Sequence, residues 1–255
     1  MALKICSLSS GSSGNCIYVA SDKTTILIDA GISVSQINRS LKVLGADFSN
    51  LNVLVTHTHS DHIKELGALV RGSNAAVYKH YAADVSRINK INYTEFDTKE
   101  FCIGDISITP FLVSHDVPCV GFNLRSGTGS ISVLTDLGTM DKKVYDSISS
   151  SDILFIESNY DESMLKNGSY PQFLKRRIAG DRGHLSNTFC AKVCTRVVAN
   201  KARQIILGHV SHENNTHQLA LDCTKNMLNK AGAKEGSDYN IEVAPRFNLS
   251  GLYSV

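Results

Sequence analysis

At 255 residues, 42% hydrophobic and 20% charged, the chain has the composition of an ordinary globular protein and enough length to bury a sizeable core without staples. No apolar run approaches the ~20 residues of a bilayer span, and Met1-Ala2-Leu3-Lys4 lacks a signal-peptide layout, so a cytoplasmic protein with no membrane partner is expected. A net charge of +2 does not by itself announce a nucleic-acid binder, and seven scattered cysteines without a C-x-x-C pair argue against a disulfide framework or a cysteine zinc site.

Residues 3–8 and 16–20 read as strands joined by Ser9-Ser10-Gly11-Ser12-Ser13-Gly14-Asn15. Gly and Asn there allow tight turns, and hydroxyls with free N–H groups could also meet an anionic substrate, which makes Ser12, Ser13 and Asn15 candidate substrate contacts. A third strand, 24–29, ends at Asp29-Ala30-Gly31, and Ser33 caps a helix over 35–44. Asp29 reads as a turn cap or as a partner of some ligand, outside the site itself.

The buried run 52–56 delivers His57-Thr58-His59-Ser60-Asp61-His62, after which Ile63, Leu66, Leu69 and Val70 recur at helical spacing. A short strand at 75–78, a helix near 80–90, and strands at 105–113, 120–124 and 130–134 follow. A helix at 141–148 and a strand at 152–156 precede a helical stretch at 170–178 and a longer helix from about 187 to 199. A strand at 203–207, a helix at 215–230 and a strand near 239–243 close the chain. With neither internal repeat nor low-complexity linker, residues 1–255 are expected to form one α/β domain.

Candidate ligands and acid-base groups repeatedly stand just past apolar strands: His57, His115, Asp136, Glu157 and His209. Residues two apart in extended chain point the same way, so His57 and His59 can grip one ion, whereas Asp61 and His62 can serve a second. Four ligands shared between two ions leave both short, and His115, Asp136 and His209 have the chemistry to complete them, with Asp136 the natural bridge. Two metals ~3.5–4 Å apart sharing a hydroxide attack phosphoryl and acyl centres, so hydrolysis is the expected reaction. His80, His212 and His217 read as satisfied core histidines.

The H-x-H-x-D-H stretch followed by His115, Asp136 and His209 resembles the metallo-β-lactamase superfamily. The resemblance implies an αββα four-layer sandwich, two mixed β-sheets with helices on the outer faces, and a dinuclear site at one edge. It would give His57, His59 and His115 to a first divalent ion, Asp61, His62 and His209 to a second, and Asp136 to both. Zinc or manganese, with iron possible, fits nitrogen and oxygen donors without thiolate. Glu157 and His184 resemble the carboxylate and histidine that nuclease members such as tRNase Z and RNase J add near the metals.

The Ser-Gly-rich opening loop, Asp29-Ala30-Gly31 and Gly180-Asp181-Arg182-Gly183-His184-Leu185-Ser186-Asn187 resemble the YycJ/WalJ branch. That implies a nucleic-acid substrate, DNA before RNA, and 5′-to-3′ exonuclease activity in which Asp61, His184 and Glu157 are catalytic. Arg182, Ser186 and Asn187 become candidate substrate contacts, and Lys175, Arg176 and Arg177 could neutralise phosphates. Only 26 residues separate Glu157 from His184, too few for the clamp domain that RNase J carries there. An RNA-processing nuclease and a glyoxalase-II-like thioester hydrolase are the alternatives.

Overall fold

The computed structural model describes residues 2–48, 51–86, 88 and 91–255. In chain order the strands are β1 (Lys4–Ser9), β2 (Cys16–Ala20), β3 (Thr25–Ile28), β4 (Leu51–Val55), β5 (Ala76–His80), β6 (Tyr93–Phe96) and β7 (Phe101–Ile103). They continue with β8 (Ile106–Val113), β9 (Cys119–Ser126), β10 (Gly129–Leu134), β11 (Ile153–Glu157), β12 (Gln204–Gly208), β13 (Asn240–Val243) and β14 (Tyr253–Ser254). The helices are α1 (Val34–Val43), α2 (Ser60–Ile63), α3 (Leu66–Ser73), α4 (Lys142–Ile148), α5 (Glu162–Asn167), α6 (Gln172–Ile178), α7 (Asn187–Asn200) and α8 (His217–Lys230).

Two seven-stranded sheets form, in the orders β14-β1-β2-β3-β4-β5-β6 and β13-β12-β11-β10-β9-β8-β7. Both are mixed. In the first, β14, β1, β2 and β3 pair antiparallel and β3 to β6 run parallel. In the second, β7 to β10 are antiparallel and β10 to β13 parallel.

The central strands, among them β2, β10, β11 and β12, are buried on both faces, which is why they read as continuous apolar runs. Alternation sorts their side chains into layers. Ile26, Ile28 and Leu54 of the first sheet meet Phe122, Val133, Phe155 and Ile206 of the second in one core. Leu27, Val53 and Val55 turn outward against Ile37 and Leu41 of α1 and Leu66 and Leu69 of α3. On the other side Leu154, Ile156, Ile205 and Leu207 pack against residues of α4, α7 and α8. Helices outside two facing sheets make the α/β sandwich of mixed sheets that the sequence pointed to.

The sequence expectation fails at four places. Residues 81–86 form turns and coil rather than a helix, and 87, 89 and 90 lie outside the described residues. The short strands β6, β7 and β14 and the six-residue helix α5 carry too few residues for a periodic signal. The helix after His59 breaks at Lys64 and Glu65 into α2 and α3. His80 is buried, but His212 and His217 are exposed rather than core residues. Five of the seven cysteines are buried, Cys102 is exposed, and none is paired.

Candidate metal centre

The parallel halves of both sheets end at one edge, and the chemistry gathers there. Asp29 follows β3, His57 follows β4, Asp136 follows β10, Glu157 ends β11 and His209 follows β12. Asp29, Asp136 and His209 leave their strands with positive φ, 65°, 57° and 51°, a conformation that L side chains rarely adopt. Such strain costs of order 1–3 kcal/mol per residue and persists where surrounding structure over-determines it.

Donor atoms converge in overlapping groups whose members lie within 4.8 Å of one another. His57, His59 and His115 make one group, Asp61, His62 and His209 another, and Asp136 joins both His57 with His62 and His184 with His209. His115 Nε2 stands 3.3 Å from His59 Nδ1, and His62 Nε2 stands 3.5 Å from Asp61 Oδ2 and 3.2 Å from Asp136 Oδ2.

Four of the five expected ligand histidines have their inward nitrogen aimed by what the ring does on the other side. His62 Nδ1 pairs with Asp29 Oδ2 at 2.6 Å, His209 Nδ1 with Glu157 Oε1 at 2.7 Å, His115 Nδ1 with the Gly183 carbonyl at 3.1 Å, and His57 Nδ1 with the Thr56 hydroxyl at 2.9 Å. Partners of this kind fix the tautomer and orientation of metal-binding imidazoles. His57 Nε2 is buried and among the described residues makes no hydrogen bond, while buried Asp136 Oδ2 has His62 Nε2 at 3.2 Å, itself an inward-turned ligand nitrogen. Orphaned buried donors and acceptors are costly unless something pairs with them, so the donor set fits divalent cations.

The electrostatics point the same way. Burial alone would raise the Asp61 pKa, but the hydrogen bond from His209 and the charges of His62 and His209 bring it down to about 2. Burial opposes a charge on His62, yet Asp136 and Asp29 outweigh it and lift its pKa to about 10. His57, buried beside other imidazoles, is pushed well below its ordinary value. Burial also works against a charge on His184, and Glu157 overrides it and raises the pKa.

Glu157 is fully buried, and its Oε1 lies 2.7 Å from both His184 Nδ1 and His209 Nδ1. Its Oε2 accepts from the backbone N–H of Leu185 at 3.0 Å. Beside this group opens a cleft of about 280 Å³ whose wall includes His59, Asp61, Asp136, His184 and His209.

Of the six residues expected at the substrate, Ser12 lines this cleft. Ser13 is exposed on the same loop, its carbonyl accepting from Lys64 Nζ. Asn15 is buried against the ligands, its Nδ2 3.2 Å from Asp61 Oδ2 and 3.0 Å from His62 Nε2. Arg182 Nε donates to the His115 carbonyl at 2.9 Å, Ser186 caps α7, and Asn187 bonds Ser158 and Asn215. Their polar groups build the loops behind the site.

Asp29 belongs closer to the site than the sequence reading put it: besides His62 it accepts from the Thr56 N–H at 2.8 Å and the Thr56 hydroxyl at 2.7 Å. The rule that found His57 and Asp136, a polar residue just past an apolar strand, also covers Asp29. Two further supports carry no sequence signal of their own. Ser10 Oγ accepts from the His209 N–H at 2.7 Å, and Asn159 Nδ2 donates to the His209 carbonyl at 2.8 Å.

Two facing mixed sheets with a histidine and aspartate cluster at one edge define a protein of the metallo-β-lactamase fold, a fold that implies divalent metal ions. The chain belongs to the β-lactamase superfamily domain family, whose model matches residues 24–210. It is 35% identical over 247 residues to exodeoxyribonuclease WalJ of Streptococcus pneumoniae serotype 2 (strain D39), covering 92% of this chain and 91% of that protein. It is 32% identical over 252 residues to exodeoxyribonuclease YycJ of Bacillus anthracis, covering 94% and 95%. Among solved structures, the metallo-β-lactamase fold protein YhfI of Bacillus subtilis aligns with TM-score 0.77, 15% identity and complete coverage (100%) of both chains. Human tRNase Z, short form, aligns with TM-score 0.64 and 13% identity over 97% of this chain and 98% of its own. These structural likenesses concern the fold. The family and the clustered ligands agree with the metal-dependent hydrolase expected from the sequence.

Proposed function

We propose that the chain, acting as a single domain, is a phosphodiesterase that shortens DNA from its 5′ end and holds two divalent ions, zinc or manganese, with iron a further candidate. The observation that carries this is Glu157, one carboxylate shared between His209 and the cleft-facing His184. Hydrolysis of a small thioester needs no such second histidine. DNA is favoured because the relatives at 35% and 32% identity are named exodeoxyribonucleases. Seven unpaired cysteines agree with a reducing, cytoplasmic setting.

In this reading His57, His59 and His115 hold one ion, Asp61, His62 and His209 the other, and Asp136 stands between them. When bound, such ions supply Lewis-acid stabilisation of the charge that builds on a phosphoryl oxygen. Asp61, ionised far below neutrality, keeps a negative charge at the cleft floor at every physiological pH. Asp29 and Glu157 keep Nε2 of His62 and His209 turned inward. Glu157 also sustains the proton on His184, which can then be passed to the departing oxygen.

The test is a 5′-labelled DNA, a matching RNA and a glyoxalase-type thioester, each incubated with the protein and manganese or zinc. Release of the label from DNA in the shortest products, with the thioester intact, is the expected result. Hydrolysis of the thioester and of neither nucleic acid would overturn the reading.

A further inference from the structure

Four basic residues precede His184, and the structure gives three of them, Lys175, Arg177 and Arg182, different work. Lys175 Nζ donates to the Lys166 carbonyl at 2.8 Å, and Arg182 is committed to the His115 carbonyl at 2.9 Å. Arg177 instead reaches the wall of the cleft, beside Tyr170, His184 and His209. There Asp116 holds it: Arg177 Nε donates to Asp116 Oδ2 at 2.9 Å and Nη2 donates to the same oxygen. The other oxygen, Oδ1, lies 3.1 Å from His59 Nε2 and 3.3 Å from His115 Nε2. The guanidinium is thus anchored one side chain away from the first histidine group. It remains 57% exposed, and two of its five N–H donors meet Asp116.

The helix that carries Arg177 is itself unusual. No residue of α6 is buried, and Phe173 is 68% exposed. Phe173 and Arg177 are four residues apart, which puts them on one helix face with Cβ atoms roughly 5–6 Å apart. An exposed aromatic ring next to a cation at the mouth of a cleft is how proteins hold single strands, bases stacking on the ring while cations take the backbone.

We propose that α6 is the element that holds a single-stranded nucleic acid at the site, Arg177 taking a backbone phosphate and Phe173 stacking an adjacent unpaired base. Asp116 is the positioning residue that fixes the Arg177 fork before substrate arrives. Bases inside a duplex have both faces covered by their neighbours, whereas a single strand offers Phe173 a free face along its length, so a single strand is the form held. The proposal rests on the nuclease reading above and names the part of the chain that receives its substrate.

Steady-state cleavage of a labelled single-stranded DNA across a salt series tests it, because charge and stacking leave different signatures. Arg177→Ala should raise KM roughly tenfold or more, and should lessen the slope of log(1/KM) against log salt by roughly 0.7. Arg177→Lys should recover the slope and part of the affinity. Phe173→Ala should raise KM about five- to hundredfold with the salt slope unchanged, and Phe173→Trp should return it close to wild type. Melting curves identify any variant that fails to fold, and the Lys and Trp variants then carry the comparison. A wild-type slope in Arg177→Ala, or a wild-type KM in Phe173→Ala, would overturn the proposal while leaving the nuclease reading intact. Absence of any cleavage by the wild type would overturn the nuclease reading first, and this one with it.

Discussion

Asp29→Asn isolates what a buried carboxylate behind a metal ligand contributes. Asp29 accepts three hydrogen bonds, from His62 Nδ1 at 2.6 Å, the Thr56 N–H at 2.8 Å and the Thr56 hydroxyl at 2.7 Å. Asparagine tolerates the positive φ of 65° and can keep the bond from the Thr56 N–H, so the backbone turn survives. It presents an amide donor to His62 Nδ1 and the Thr56 hydroxyl, however, and removes the charge that orients His62. Loss of such a partner costs about 10- to 100-fold in metal affinity. Two bonds disturbed at about 1 kcal/mol each amount to roughly 2 kcal/mol, or a melting temperature lower by about 4–8 °C for a chain of this size. Competition with a chromophoric chelator measures the affinity, and thermal denaturation of metal-free protein measures the stability. A folded Asp29→Asn variant that binds metal within twofold of wild type would refute the idea that Asp29 orients His62.

Three other substitutions and a pH series follow from the same geometry. His184→Ala should lower kcat by about 10²–10⁴-fold with metal content unchanged, since the ring meets Glu157 and the cleft. Glu157→Gln should lower both kcat and metal content, because its Oε1 serves His184 and His209 together; elemental analysis alongside kinetics separates the two cases. In Gly31→Ala the new Cβ would fall 1.7 Å from the Asp61 carbonyl oxygen, a backbone atom that cannot step aside. Displacement of the Asp61 turn should cost about 1–3 kcal/mol and weaken metal binding, as melting and chelator competition would show.

For the metal-free protein, the His62 pKa is raised from 6.5 to about 10, so its contribution to stability is complete below 6.5 and is lost as pH climbs through 10. Asp61, lowered from 3.8 to about 2, contributes above 3.8 and loses that contribution as pH falls through 2. Metal must displace the His62 proton, so affinity should rise with pH up to about 10. Denaturant titrations and metal competition at a series of pH values check both signs.

The ligands were legible because the chemistry was dense and periodic. Three imidazoles and a carboxylate within six residues have few structural excuses, and buried parallel strands announce themselves as apolar runs that end where the site begins. The supporting groups were less legible because nothing local distinguishes them. Ser10 looks like a loop serine until the fold sets its hydroxyl under the His209 N–H, 199 residues away. Ser186 and Asn187 carried a plausible resemblance to substrate contacts, yet capping α7 and bonding Ser158 occupy them. Asp116 adjoined a ligand in sequence, but its pairing with Arg177, 61 residues away, depends on where the fold sets the end of α6, which no short-range pattern encodes. β6 and β7, at four and three residues, are edge strands chosen by tertiary pairing rather than by propensity.

Metal dependence assigned to one carboxylate is the core of the account. The protein is stripped with chelator and reloaded with manganese or zinc, and wild type and Asp61→Ala are then compared on the same 5′-labelled DNA. Wild type should lose cleavage on stripping and regain it on reloading, whereas folded Asp61→Ala should stay inactive under both conditions. Robust cleavage by folded Asp61→Ala, or by stripped wild type, would contradict it.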